Sequence, residues 1–556
     1  MWKSFRVLIF SCSVLTGIVV TAGHPDKILH NGKLLTVDPE FSIAEAIAIS
    51  EGRITAVGSN SEILNLSGPK TVHIDLEGRT VIPGLIDNHM HYMRGASRWR
   101  FEARIDGVTS RADALKIIGQ KVMETETGQW VFVLGGWSEQ QFADAPGGFT
   151  TEELDAIAPA NPLFIQKSYS RAYMNSLAQQ ELAETGDSNS RAGGRQTNSQ
   201  RSSNRSRGGR SQSGRNSSGR SGGARAIINQ ATTFVPHRSA EQRVEDVAFF
   251  NTILNSYGLT TVYDVGRSTD GNFDPVKKLA DQGKLTLRTF HSLRYRADNP
   301  VEVNEAITFI QSSKPRLNND WFGLIGIGEH TYNPLHDSSM RVSLYDDDVW
   351  NQFQKIALYA AEGGWHIHEH AMQDSTASRI LDIAEIINEN HSMKDLRWTI
   401  AHCDLISKES ISRAKKLGLT IAVHNKTAKP AKEDRDSPPV SWIQDSGIVW
   451  GLGSDSTVVS TINPFHSLWW VVSGNVFPNT ESIRNPISRQ AALTAHTRNN
   501  AFLLFKEKDL GSIEVGKWAD IVVLDRDYMS VAVDEIRNIK PIKTFVRGEI
   551  VYTSDD

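Results

Sequence analysis

The sequence predicts an α/β protein: a (β/α)8 TIM-type barrel with a small β-sandwich domain built from both chain ends. Three observations predict it. The chain has 556 residues, too many for one ordinary domain and about right for a barrel carrying a side domain. Apolar, β-branched runs alternate with helical patterns through its middle: WVFVLG, PLFIQK, LTTVYDVG, LRTFHSL, WFGLIGIGE, WHIHEH, WTIAHCD, LTIAVH and IVWGLGSD. Runs that are apolar on both faces and separated by helices form parallel sheets, and roughly eight such units close a barrel. Both chain ends instead carry short strands and turns, AIAISEGRITAVGSN and TVHIDLEGRTVIPG near the start, GSIEVGKWADIVVLDRD and PIKTFVRGEIVYTS near the finish. The sandwich is expected from residues 24–80 and 505–556, around a barrel domain over 81–500.

The start of the chain reads Lys3 and Arg6, an apolar run from Val7 to Val20, then Thr21-Ala22-Gly23. That is the layout of a signal peptide over 1–22 with cleavage near Ala22. The apolar run falls short of the ~20 residues a bilayer requires, and no other segment could span a membrane. A secreted or otherwise exported protein is therefore expected, with Cys403 its only thiol once Cys12 has left with the leader. Two cysteines exclude a disulfide framework.

Residues 188–225 hold nine arginines, no acid and nothing more apolar than alanine. Such a stretch cannot build a core, so it is expected to be a disordered Arg/Ser/Gly-rich insertion. RNA or polyanion binding is one reading of it, and a solvated loop is the other. The formal charge of −4 becomes −15 once these nine arginines and the two basic residues of the leader are set aside. An acidic body gives no clear nucleic-acid partner. A small-molecule substrate fits better, and homo-oligomerisation is compatible with the sequence.

In a barrel of this kind the chemistry lies at the C-terminal ends of the strands. After TVIPGLID come His89 and His91, which alternation puts on one face so that both can reach one ion. His366, His368 and His370 share a face in GWHIHEHAMQD, His402 ends WTIAHCD, and Asp455 ends VWGLGSD. Four strands thus deliver imidazoles and a carboxylate to one rim, the donor set of zinc and related divalent ions. Each histidine alone could be structural, and Asp455 alone could cap a helix. Cys403 is turned from the His402 face by alternation and reads as a buried structural thiol. His424 ends LTIAVH without an assignable role.

The phrases PGLIDNHMH, GWHIHEHAMQD, IAHCDLISKESI, GLGSDS and GSIEVGKWADIVVLDRD resemble the metal-dependent amidohydrolase superfamily in its YtcJ-like branch, over about Ile28 to Thr553. The resemblance implies that His89 and His91 are strand-one ligands, His368 the strand-five ligand and His402 the strand-six ligand. Asp455 matches the strand-eight aspartate, which binds metal and takes a proton from the attacking water. His370 would orient the substrate, hydrogen-bond a developing oxyanion, or be structural. Many relatives carry a strand-four lysine that bridges two metals. This chain has Gly326-Ile327-Gly328-Glu329 there, so Glu329 either ligates in its place or pairs with a base at the rim, and one ion or two stays open. Arg171 stands where relatives place a histidine, and would either grip an acidic substrate group or be solvated. Trp137 and Trp365 would either wall the substrate site or pack in the core.

The activity implied is hydrolysis of a non-peptide carbon–nitrogen bond, an amide or substituted formamide, by metal-activated water, with Asp455 as base and His370 assisting. A metal-dependent esterase, lyase or isomerase could use the same ligands. A secreted non-catalytic barrel with a polyanion-binding loop is the remaining alternative.

Overall fold

A computed structural model describes residues 23–193, 218–266, 273–293, 297–315, 319–339, 342–425 and 436–555. The expected leader over 1–22 and the centre of the arginine tract, 194–217, lie outside them. Helices Ser176–Gly193 and Ser218–Ala231 reach into both edges of that tract.

Eight parallel strands form the central sheet. They are β1 (Leu85–Met90), β2 (Leu259–Asp264), β3 (Arg288–Leu293), β4 (Phe322–Glu329), β5 (His366–Ala371), β6 (Thr399–His402), β7 (Thr420–His424) and β8 (Trp450–Gly453). The sheet closes where β8 returns to β1, with Asp455 N–H donating to the His89 carbonyl at 2.8 Å. Residues of β1, β2, β6, β7 and β8 are buried along their whole length. That is why these strands read as continuous apolar runs and not as alternating ones. Helices such as Asp347–Glu362 and Asp374–Asn388 bury one face, including Phe353, Ile356, Ile380 and Ile383, against the outside of the barrel.

Two of the runs expected as barrel strands are not in the barrel. Leu163–Lys167 pairs with Val131–Leu134 on one side and Arg171–Met174 on the other in a separate three-stranded sheet, within the long connection from β1 to β2. This inserted unit has its own core of Ile105, Ile118, Val133, Trp137, Phe142, Phe149 and Ile165. A strand buried on both faces gives the same sequence signal in either sheet, which is why periodicity could not separate them.

The chain ends meet in a second sheet. Val81–Pro83 pair antiparallel with Ile521–Val523, which pair in turn with the strand Pro541–Val546. Leu34, Val81, Ile521 and Phe545 of this sheet share a core with Leu29 and Ile47 of a four-stranded sheet. Arg288 of β3 ties this unit to the barrel: its guanidinium donates to both oxygens of Asp520 at 2.7 and 3.0 Å and to the Asp320 carbonyl at 2.6 Å. Both side chains are buried, at 0% and 5% exposure. Arg288→Met would strand Asp520 as an uncompensated buried charge, so a loss of about 3–5 kcal/mol is expected in urea unfolding. A loss under about 1 kcal/mol would mean the pair contributes no more than a surface bridge.

Candidate metal centre

The strand ends are held in register before any ligand is considered. Asp87 accepts from the backbone N–H groups of His89 and Ser454, both at 3.1 Å, fastening β1 to the β8 loop. Burial pushes the Asp87 carboxyl up to about 6 against those hydrogen bonds. Asn500 donates to the carbonyls of Ile86 and Leu452 at 2.5 and 2.8 Å and accepts from Asn88 at 2.7 Å. A Cβ at Gly453 would stand 2.4 Å from the Asn88 amide oxygen, and one at Gly451 1.9 Å from that of Asn500. The glycines of VWGLGSD are therefore required by this close approach. Asn500→Ala leaves buried polar groups without partners, and a loss of about 1–3 kcal/mol is expected by calorimetric unfolding. An unchanged transition would show that these groups find other partners.

His402, Cys403 and Asp455 leave their strands with φ of 71°, 54° and 56°. Left-handed backbone at non-glycine residues costs of order 1–3 kcal/mol each and persists only where surrounding structure imposes it. Here it turns the His402 and Asp455 side chains toward β1.

Glu329, at the end of β4, is the centre of the cluster. Its Oε1 lies 3.0 Å from His370 Nδ1 and 3.2 Å from His402 Nε2. Its Oε2 lies 3.7 Å from His91 Nε2 and 3.9 Å from His89 Nε2. Asp455 Oδ1 stands 3.2 Å from His91 Nε2 and 3.7 Å from His89 Nε2, and its Oδ2 is 3.9 Å from His402 Nδ1. One carboxylate therefore stands between two imidazole pairs, with a second carboxylate beside the first pair. Burial works to raise the Glu329 carboxyl, but the charge of His330 and hydrogen bonds from His370 and His402 outweigh it and hold it well below the usual range. Burial, reinforced by the nearby His424, holds His89 well below its ordinary value and keeps it neutral.

Close groups of ligand atoms include His89, His91 and Glu329; Glu329, His330 and His370; and His89, His402, His424 and Asp455. Two of the buried donor atoms, His89 Nε2 and Glu329 Oε2, have no hydrogen-bond partner among the described residues. Buried polar atoms are rarely left so, and neutral imidazole with carboxylate oxygen is a divalent-metal donor set. The residues fit a metal.

His368, expected as the strand-five ligand, belongs to none of these groups. It lies one layer deeper, its Nε2 2.9 Å from His89 Nδ1, and burial with the nearby His366 pushes it down to about 3. His370 takes the place against Glu329 instead. The register explains the exchange: Glu329 pairs with Glu369 and His402 with Ala371, so His370 falls between the two levels and His368 below both. Both ring nitrogens of His370 face carboxylates. Its Nδ1 faces Glu329, and its Nε2 lies 3.1 Å from Asp337 Oδ1. Burial opposes its charge, but these two carboxylates bring it up to about 10. Neither ring nitrogen is left to meet an oxyanion.

Trp137 and Arg171 have the surroundings of their structural alternatives. Trp137 is buried in the inserted core, its Nε1 donating to the Gln166 carbonyl at 2.9 Å. Arg171 is 61% exposed and paired with Glu139 at 2.9 Å. Trp365 is buried in the shell behind the barrel, and Cys403 is buried as a structural thiol would be. The sequence reading gave no role to His424, whose Nδ1 lies 2.9 Å from His402 Nδ1. It overlooked Asp337, which also accepts from the N–H groups of Met372 and Gln373 at 2.9 and 2.8 Å. Among the described residues, no helix is long and apolar enough to cross a membrane.

Comparison with known proteins identifies the family. The model of the Amidohydrolase family matches residues 73–552. The chain is 24% identical to protein LONG AFTER FAR-RED 3 of Arabidopsis thaliana, over 99% of this chain and 94% of that one. It is 23% identical to the N-substituted formamide deformylase of Arthrobacter pascens, over 95% and 98%. To the putative amidohydrolase YtcJ of Bacillus subtilis it is 23% identical, over 94% and 99%. A crystal structure of an uncharacterised metal-dependent hydrolase from Pyrococcus furiosus superposes with a TM-score of 0.57 at 19% identity, covering 91% of this chain and all of that one. The chain belongs to the amidohydrolase family in its YtcJ-like branch, and at that coarse level is a metal-dependent hydrolase of carbon–nitrogen bonds.

Proposed function

We propose that the chain hydrolyses the carbon–nitrogen bond of an amide or substituted formamide at a two-ion zinc-type centre. The observation that carries this is Glu329 standing between His89 with His91 on one side and His370 with His402 on the other. His89, His91 and Asp455 would hold one ion, and His402 with His370, which gives up a proton as the metal binds, the other, with Glu329 shared. When bound, divalent ions supply Lewis acidity, lowering the pKa of a water from 15.7 to about 7 and polarising the scissile carbonyl.

The chain's own residues do the rest. Asp455 accepts the proton of the attacking water and returns it to the departing nitrogen. Its backbone N–H, fixed to the His89 carbonyl, keeps that carboxylate beside the strand-one imidazoles. His368 touches His89 Nδ1 and leaves Nε2 directed at the centre. Asp337 fixes the His370 ring from behind, as carboxylates behind ligand histidines do. Asp337→Asn is therefore expected to weaken metal binding about 10–100-fold in chelator competition, and an unaltered affinity would remove Asp337 from this role.

The reading is tested by metal-loading the full chain and following amine release from N-benzylformamide and N-acetyl analogues. Release that depends on added zinc supports it, and hydrolysis of esters with no C–N substrate turned over would replace it. Export belongs to the same proposal: expressed with its leader in a secreting host, the recovered protein should begin near Gly23.

A further inference from the structure

We propose that Arg94 binds a carboxylate on the substrate, so that the amide cleaved is an N-formyl or N-acyl amino acid. Arg94 lies three residues past His91 on the helix Tyr92–Arg98. Its Nη2 donates to the Ser456 carbonyl at 3.4 Å, the same carbonyl that accepts from His91 N–H at 3.0 Å. Its Nη1 donates to the Tyr169 hydroxyl at 2.5 Å. The guanidinium thus touches the carbonyl of Ser456, the residue after Asp455, and a tyrosine of the β1–β2 connection that carries the inserted sheet.

Its charge is not met. Several arginines nearby are paired with acids: Arg104 with Glu102 and Asp106, Arg100 and Arg238 with Asp246, Arg111 with Glu153, Arg171 with Glu139. Among the described residues Arg94 has no carboxylate within ion-pair distance, although it is half-buried and its Nε is buried with no hydrogen-bond partner. A desolvated cation without an anion is costly, and ordinarily its counter-ion is supplied. Arg225 lies over the ring of Tyr169 at 5.5 Å, adding a second positive group at the same place. An anion arriving here meets a planar donor fork suited to carboxylate.

The position also selects which part of the substrate carries the acid. Asp455 returns its proton to the departing nitrogen, so the amine half of the substrate lies on the Asp455 side, where Arg94 stands. An α-carboxylate on that amine makes the product an amino acid. This rests on the hydrolase reading above, and the test separates the two.

Turnover and binding are measured with metal-loaded full chain on a matched pair, N-formylphenylalanine and N-(2-phenylethyl)formamide, in wild type, Arg94→Ala and Arg94→Lys. Wild type is expected to prefer the carboxylate by about tenfold or more in kcat/KM, through KM. Arg94→Ala should collapse that preference and Arg94→Lys should restore part of it. Equal losses on both substrates, or no preference in wild type, would overturn the assignment. Calorimetric titration with N-acetylphenylalanine against its N-methylamide decides the matter even if neither formamide is turned over. Binding of the acid alone, lost in Arg94→Ala, supports Arg94 while the hydrolase reading fails. Equal or absent binding of the acid by wild type overturns Arg94.

Discussion

Glu329→Gln is expected to cost the protein one bound ion per chain and about 10³-fold in turnover, the several kcal/mol that a Lewis-acid clamp contributes to a transition state. The substitution keeps the shape of the side chain and removes its charge. Glu329 Oε1 is within 3.2 Å of both His370 and His402, and Oε2 faces His89 and His91. A carboxamide presents only one acceptor, and its NH2 would have to point at imidazole nitrogens on one side. Metal analysis of the purified variant beside its kcat on a formamide substrate reads both effects. Full metal content with turnover within about threefold of wild type would make Glu329 a structural rim residue.

Asp455→Asn carries the second large effect, a fall of about 10²–10⁴-fold in kcat, the usual contribution of a positioned general base. Asparagine can still offer an oxygen to a metal, but it cannot take a proton. The backbone at this residue, with φ of 56° and its N–H bonded to His89, tolerates the change because asparagine enters the left-handed region readily. The decisive comparison is kcat against metal content. Loss of kcat with metal retained identifies the base. Loss of kcat in proportion to lost metal would leave Asp455 as a ligand only.

What the sequence showed and what it hid divide along a physical line. His89, His91, His402 and Asp455 could be found because each ends an apolar run, and in a parallel barrel every such end faces one rim. His368 and His370 could not be told apart, since both share a face of β5 and only the stagger between neighbouring strands decides which reaches the level of Glu329. That stagger is a property of barrel closure, not of any one strand. The same limit hid the inserted sheet: Val131–Leu134 is as apolar as a barrel strand and is buried as completely. Trp137 packs in the core of that inserted unit. Arg94 gave no signal, because an arginine on a short helix reads as solvated until its surroundings show that no acid answers it. Asp337 was silent for a related reason, its partners His370, Met372 and Gln373 lying more than thirty positions away.

The central claim is that these buried imidazoles and carboxylates form a metal-dependent hydrolytic centre. Stripping the purified full chain with a chelator, then titrating zinc while following formamide hydrolysis, tests it most directly. Activity is expected to be lost on stripping and to return with zinc, saturating at two ions per chain. Activity that survives complete removal of metal, or a chain that binds no zinc, would contradict it.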